Sequence, residues 1–434
     1  MSSASVVSFE EARHIVEQHA RKVGPGNVEK VDLLASSGRV LAEPILADRD
    51  FPPFPRATRD GYAVRAVDLA QVPARLELVG EVRAGDWPEP GTCSVGRGQA
   101  VSIMTGAPLP AGSDAVVMIE YTAAAEKSVE MQRSVKSGEN FVARGAEARQ
   151  GQMLVDRGTP LDHAAIAIAA SVGASKLPVF RKPQVAVLST GDEVVEIGAT
   201  PGPAQIRNSN TYSLAAQIEH AGGEAVRFPI APDEPHRLRA LIEEGLAYDL
   251  LLLTGGVSMG KYDLVEQVLA ELQAEFYFTG AKIQPGRPIV FGSCGRQCGA
   301  DTPVRVSASN LQSARTRVPA PHGKYFFGLP GNPVSTMVTF RLFAQPMIAA
   351  LAGAKSQPLI FLKARLKSEI RTKTGLKRFL PAVLSGEFEN ADVELAAWQG
   401  SGDIAALTRA NCFLVIPPDR EQIAAGEWVC LLMA

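Results

Sequence analysis

Acidic side chains recur after short apolar runs in the middle of this chain: Asp192 and Glu193, Asp233 and Glu234, and Asp263. Gln284 with Arg287, and Asn332, follow later runs in the same way. Carboxylates gathered at one place suit Mg²⁺, a hard cation that keeps several waters and is shared with substrate phosphates. Each also has a plainer role as a helix cap. Asp233, two residues before Pro235, fits a cap better than a ligand. Asp263, with Glu266 three residues on, fits a capping box and a metal ligand equally. Glu193 precedes the extended pair Val194-Val195, so no helix needs it as a cap and a functional role is favoured. Asp60 between Arg59 and Gly61, Thr105-Gly106 and Glu147 read on their own as turn residues. No Ser-His-Asp or Cys-His order emerges, and Gly96-Arg-Gly98 is a lone Gly-x-Gly without a dinucleotide-binding context.

These groups can meet only if the elements before them converge. Leu250 to Leu253 is an unbroken apolar run too short for a helix core, the pattern of a strand buried on both faces of a parallel sheet. Gly255 and Gly256 let the chain turn tightly, and from Leu264 the apolar spacing becomes helical. A strand thus feeds a glycine turn that opens a helix, whose N-terminal N–H groups form an anion site. The same rhythm predicts strands at Val185–Leu188, Val226–Ile230, Phe276–Phe278, Ile289–Phe291 and Tyr325–Phe327. Helices are predicted from Asn210 to His220, from Pro235 onward, and from Asn332 as cap through Phe343. Strands alternating with helices give a doubly wound α/β sheet whose ligands bind at the carboxyl ends of the strands.

Around this sheet the chain is β-rich. Ser8-Phe-Glu-Glu11 reads as a capping box opening a helix through His19. Pro52, Pro53 and Pro55 force a shaped loop, and short β runs separated by Gly and Pro follow to about Asn140. An Ala/Ile-rich helix from Leu161 to Val172 ends at Gly173. Residues 294–323 lack periodicity and read as an insertion loop. After Lys355, five short β runs read as a small barrel or sandwich.

At 434 residues the chain holds about three domains by length alone. A net charge of −2 gives no support for nucleic-acid or membrane binding, and no apolar run approaches the roughly 20 residues that span a bilayer. Five scattered cysteines fit a reducing compartment better than a disulfide framework. Cys294-x-x-x-Cys298 lacks a second ligand pair at finger spacing, His322 being far off, which argues against structural zinc. A cytoplasmic protein is expected.

Taken together, the motifs resemble the molybdopterin molybdenumtransferases, bacterial MoeA and the related domain of eukaryotic gephyrin-type proteins. The matching residues are Pro52-Pro-Phe54 with Asp60-Gly-Tyr-Ala-Val-Arg65, Met104-Thr-Gly-Ala-Pro-Leu-Pro110 with Asp114-Ala-Val-Val117 and Glu120, and Ser189-Thr-Gly-Asp-Glu193. They continue with Asn208-Ser-Asn210, Thr254-Gly-Gly-Val-Ser-Met-Gly260 with Asp263, Pro285-Gly-Arg-Pro288, Gly328-Leu-Pro-Gly-Asn-Pro-Val-Ser335, and Ser401-Gly402 through Pro417. The resemblance runs in order along essentially the whole chain.

The resemblance implies a multidomain α/β and β protein. Its parts would be an elongated dimerisation domain (1–45 with 143–180), an inserted β-rich domain (46–142), a molybdopterin-binding sheet domain (181–354) and a C-terminal small β-barrel (355–434). It implies a homodimer that takes adenylylated molybdopterin and molybdate, hydrolyses the adenylate with Mg²⁺, and releases AMP and molybdenum cofactor. Asp263, Glu193, Asp60 and Thr105 would be catalytic, the last two reaching in from the second subunit. Asp263, Glu193, Asp233 and Glu147 would serve the metal. Gly255, Gly256, Ser258, Lys282, Arg287, Asn332, Ser335 and Ser401 would hold the pterin phosphate and anionic substrate. A molybdopterin adenylyltransferase upstream, and molybdoenzymes or delivery proteins downstream, would be partners. The chain departs from the family pattern at Pro55, at Ala57-Thr58-Arg59, at Gly145-Ala146-Glu147, at Gln284 and Arg287, and around Leu376, Arg378 and Pro381. The departures at Gly145-Ala146-Glu147 and in the Pro-Gly turn, Gln284 and Arg287, motivate a non-catalytic molybdopterin-binding scaffold as a rival. A CinA-type nucleotide pyrophosphatase on the same sheet fold is the other rival, against which the Pro-rich N-terminal motif argues.

Overall fold

The structure, a computed structural model, describes residues 6–87, 93–256, 264–295 and 323–433. Six strands form the sheet that carries the acidic loops: β1 (Gln184–Ser189), β2 (Glu224–Arg227), β3 (Leu250–Thr254), β4 (Ala274–Phe278), β5 (Val290–Cys294) and β6 (Lys324–Leu329). Their order across the sheet is β2-β1-β3-β6-β5-β4. β2, β1, β3 and β6 run parallel, while β5 is antiparallel to both of its neighbours.

Strand periodicity sorts the apolar side chains onto two faces. Val185, Val187, Leu250, Leu252 and Phe327 face one core, shared with Ala12, Val16, Leu214, Ile218, Val338 and Phe343 of the helices Phe9–Ala20, Asn210–His220 and Pro333–Leu351. Ala186, Leu188, Leu251, Leu253 and Phe326 face the other, packed by Leu238, Ile242, Val265, Val268 and Leu269 of the helices Pro235–Gly245 and Leu264–Glu271. Both faces of β3 are therefore covered, which is why its run of leucines does not alternate with polar residues. Pro333–Leu351 is by length and composition the one described helix apolar enough to cross a membrane. Here it is a core helix, with Leu342, Phe343, Met347 and Ile348 fully buried.

Several boundaries differ from the sequence reading. β2 lies at Glu224–Arg227 rather than Val226–Ile230: it starts directly after the Gly222-Gly223 turn, and Pro229 has no N–H to extend the ladder. β5 runs on to Cys294 because Ser293 and Cys294 still pair with Tyr325 and Lys324. The Ala-rich helix spans His163–Ser171, since the Leu161 carbonyl accepts from Gly38 N–H at 2.9 Å instead of from an N–H one turn on. The last core helix does not stop at Phe343 but passes through a π turn, Phe340–Ala344, and continues as Gln345–Leu351.

The β runs after residue 360 close into a five-stranded barrel rather than a sandwich. Lys377–Ser385 pairs with both Asp392–Leu395 and Cys412–Ile416, Phe361–Leu366 pairs with Asp392–Leu395 and Trp428–Met433, and the last two strands pair with each other. Ile283–Gln284, from the loop after β4, adds to the barrel in parallel with Lys377 and Arg378. Contacts gather the chain into two units: Met1–Ala42 with Gly158–Asp162 and Leu177–Ala434, and Glu43–Arg157 with His163–Lys176. The second unit is built on a six-stranded sheet, in the order Ala115–Met118, Gly61–Val64, Gln99–Ile103, Ala74–Val82, Ser128–Met131 and Thr122–Ala125.

Candidate functional site

The loops leaving the carboxyl ends of β1, β3 and β6 are tied into one floor. Thr190 N–H donates to the Thr254 carbonyl at 3.0 Å, and the Asn210 amide donates to Thr254 Oγ1 at 3.0 Å and to the Gly331 carbonyl at 2.7 Å. Thr254 Oγ1 in turn donates to the Pro330 carbonyl at 3.3 Å. Gly255 and Gly256 have φ of +87° and +62°, a conformation that favours glycine. A Cβ on Gly255 would fall 2.5 Å from the Thr190 carbonyl, and one on Gly256 would fall 2.8 Å from Thr190 Oγ1. The glycines are there because the turn rests directly on Thr190. Three buried polar atoms on this floor, Thr190 Oγ1, Asn210 Oδ1 and Thr211 Oγ1, have no hydrogen-bond partner among the described residues. Buried polar atoms seldom stay unpaired, so the cluster is primed for a ligand that brings donors and acceptors.

The sequence reading passed over these three side chains. Asn210 opens the predicted helix and Asn208-Ser-Asn210 carries only the family resemblance; the capping position belongs to Ser209, whose side chain makes no cap bond. Asn208 Oδ1 accepts from Thr211 N–H at 3.2 Å, and Asn210 is left to bridge the loops. The available signal was the repetition of Asn with Thr before an apolar helix, more polar groups than one cap requires.

The acidic groups take different places. Asp233 does not cap its helix: Glu234 holds the capping position without a side-chain bond, and Asp233 N–H donates to Asp192 Oδ1 at 3.1 Å. Partial desolvation first, then the Asp192 and Glu193 charges, push the Asp233 carboxyl above its ordinary value. Glu193 is exposed and folds back over Gly191, where a Cβ would meet its Oε2 at 2.5 Å. It follows no helix start; Val194–Val195 pairs with Ile206–Arg207, as an extended pair should. Ser258 and Asp263 lie outside the described residues, as do Cys298 and His322. Among the described residues no group of three or more His, Cys, Asp or Glu side chains could by itself hold a metal ion.

Lys282, Gln284 and Arg287 follow β4 on an exposed turn, and neither cation has a carboxylate partner among the described residues. Gly286 fixes that turn against the helix after β6, since a Cβ there would lie 2.4 Å from Thr339 Cγ2 and 3.5 Å from the Ser335 carbonyl. Asn332 stands at the cap position of that helix without a side-chain cap bond, Ser335 is buried, and the Ser401 carbonyl accepts Val334 N–H at 3.0 Å. Barrel and sheet thus share this edge. Arg378, 7% exposed and paired through its strand with Gln284, brings a buried guanidinium beside it that the sequence reading noted only as a departure.

In the second unit, Asp60 Oδ1 accepts from both Thr105 N–H at 2.6 Å and Thr105 Oγ1 at 2.7 Å. Gly61 follows because a Cβ there would sit 1.9 Å from the Val117 carbonyl across the sheet. The Thr105 backbone N–H, then its hydroxyl, hold the Asp60 carboxyl below its ordinary value, so it is ionised at neutral pH, and Oδ2 makes no hydrogen bond among the described residues. A carboxyl so depressed contributes its stabilisation above the unfolded value and loses it as pH falls through the folded one. Thr105→Val removes one of the two donors, so carboxyl ¹³C titration should find the Asp60 pKa raised toward normal; an unchanged value would show that the hydroxyl bond is immaterial. Glu147 is engaged by Arg56 Nη2 at 3.0 Å.

Comparison with known proteins covers the chain nearly end to end. Residues 7–173 match the family model described as MoeA N-terminal region (domain I and II), 186–350 the probable molybdopterin binding domain, and 363–433 the MoeA C-terminal region (domain IV). A curated relative from Nostoc sp., named molybdopterin molybdenumtransferase, is 34% identical over 94% of this chain and 88% of its own. One of the same name from Bacillus subtilis is 31% identical over 94% and 90%. A solved molybdopterin biosynthesis moeA protein from Pyrococcus horikoshii superposes with a TM-score of 0.74 at 28% identity, covering 99% of this chain and 100% of that one. Another structure of such a protein from the same organism gives 0.68 at 32% identity, covering 99% of each chain.

Proposed function

The chain belongs to the molybdopterin molybdenumtransferase family, and from that premise we propose how its own residues carry out the transfer. It is a transferase of molybdenum cofactor biosynthesis. The observation that carries the residue assignment is the trio Thr190, Asn210 and Thr211 beside the Gly255-Gly256 turn, each with a buried polar atom that has no partner among the described residues. A pterin presents ring N–H and carbonyl groups that complement such a trio, and its phosphate would lie against the glycine turn and the start of the helix Leu264–Glu271. Ser258 is assigned there by sequence. Lys282 and Arg287 offset the charge of the anionic substrates, Arg287 with a planar fork of donors, beside Asn332, Ser335 and Ser401.

Mg²⁺ fits the acidic side of this floor: Asp192, Glu193 and Asp233 gather negative charge with no cation among the described residues to balance it. Glu193, Asp233 and Asp263 would hold the ion; two or three carboxylates without a complete protein cage suit a metal shared with substrate phosphates. Bound there, it supplies charge stabilisation for cleavage of the adenylate. The protein's part is to position the adenylylated molybdopterin so that water reaches the phosphoanhydride, AMP leaves from the pterin's phosphate, and molybdate meets the dithiolene. The protein acts as a cytoplasmic homodimer, Asp60 and Thr105 of one subunit serving substrate bound by the other, between an adenylyltransferase that supplies the substrate and proteins that accept the cofactor. Purified protein given adenylylated molybdopterin, molybdate and Mg²⁺ should release stoichiometric AMP on chromatography. Release that is indifferent to chelation of Mg²⁺ would remove the metal assignment.

A further inference from the structure

A cavity of about 700 Å³ opens in the first unit, away from the floor just described. The helix Asn210–His220 separates the two: Asn210 bonds Thr254 and Gly331 at one end, while His220 lines the cavity at the other. Its 11 residues set them about 16 Å apart. We propose that this cavity is a second ligand site, for a compact organic anion carrying one carboxylate or phosphate on an apolar body.

Charge is the first argument. Arg13, Arg21 and Arg341 line the cavity with one carboxylate, Glu17, which pairs with Arg13 at 2.5 Å, so among the described residues Arg21 and Arg341 have no carboxylate partner. Arg341 is the second argument. Its Nη1 donates to Gln345 Oε1 at 2.7 Å, yet its buried Nε has no acceptor among the described residues. An oxyanion in the cavity would meet a guanidinium that has no carboxylate partner among the described residues, and charge-assisted bonds would follow. The backbone is the third: Arg341 sits in the π turn Phe340–Ala344, a local widening of the helix that recurs at functional sites.

The plainer account is that basic residues here neutralise helix C-termini. Three helices do end at the cavity, but in the last turn of each a backbone N–H already donates to a carbonyl: Lys22 to His19, Gly223 to Ile218 and Ala354 to Ala349. Arg341 is in mid-helix and serves no terminus. Val23, Pro346, Leu359 and Met433 give the remaining wall an apolar character, which selects an organic anion over inorganic phosphate.

Titration calorimetry on the full chain with phenyl phosphate, benzoate and neutral benzamide tests this. One of the two anions is expected to bind at least about tenfold more tightly than benzamide, the better of them naming the headgroup. Arg341→Gln should weaken that anion about tenfold, Arg21→Gln, at an exposed position, severalfold, and Lys282→Ala, at the sheet edge, not at all. If Arg341→Gln does not fold, Arg21→Gln carries the test. No binding of either anion, equal binding of benzamide, or affinity that follows Lys282 rather than the two arginines would overturn the proposal.

Discussion

Asp263→Asn is expected to lower Mg²⁺-dependent AMP release about 10²–10³-fold, equivalent to ~2.7–4 kcal/mol of lost charge stabilisation. Substrate affinity should change by no more than about threefold, and the thermal midpoint by very little. The separation follows from what the substitution preserves. By sequence Asp263 immediately precedes the helix Leu264–Glu271, and asparagine caps a helix about as well as aspartate. A capping role would therefore survive the change, whereas a role that needs negative charge would not. Single-turnover AMP release, substrate binding and melting of one preparation distinguish the two; near wild-type release would make Asp263 only a cap.

The largest effect on stability is expected from Phe327→Ala. Phe327 is fully buried at the centre of the sheet, stacked on Phe291 with ring centroids 4.5 Å apart. Truncation removes a large apolar side chain and leaves a void that close-packed neighbours fill only in part, costing about 3–5 kcal/mol. For a domain of this size that lowers the sheet's unfolding midpoint by roughly 6–20 °C in calorimetry. Leu34→Ala, at a position 82% exposed, should change stability by no more than about 0.5 kcal/mol. A shift at Phe327 as small as that at Leu34 would mean the sheet core is not packed as described.

What sequence could show of this fold depended on whether the cause was local. Leu250–Leu253 with Gly255-Gly256 announced a buried parallel strand and its turn, because periodicity and glycine conformation are properties of the segment itself. Ser8 was readable for the same reason: its side chain accepts the Glu11 N–H at 3.1 Å, three residues away. The misplacements arose where a distant partner decided the outcome. Leu161 gives its carbonyl to Gly38 N–H rather than to its helix, and Asp233 lies against Asp192 while Glu234 holds the capping position. The π turn around Arg341 has no sequence signature.

The candidate site divides along the same line. Its glycines, and Glu193 with no helix to cap, stood out singly. Thr190, Asn210 and Thr211 gain meaning only when the loops after β1, β3 and β6 are bonded together and their spare polar atoms are counted. Asp60 reads as an ordinary turn residue in sequence, and only the fold pairs one of its oxygens twice with Thr105, 45 residues away.

The central claim is that this chain inserts molybdenum, and reconstitution of a cofactor-free molybdoenzyme tests it most directly. Incubated with adenylylated molybdopterin, Mg²⁺ and molybdate, the protein should yield a product that restores the acceptor's activity in proportion to AMP released, and should yield none when molybdate is omitted. AMP released without an activating product, at any molybdate concentration, would contradict the account.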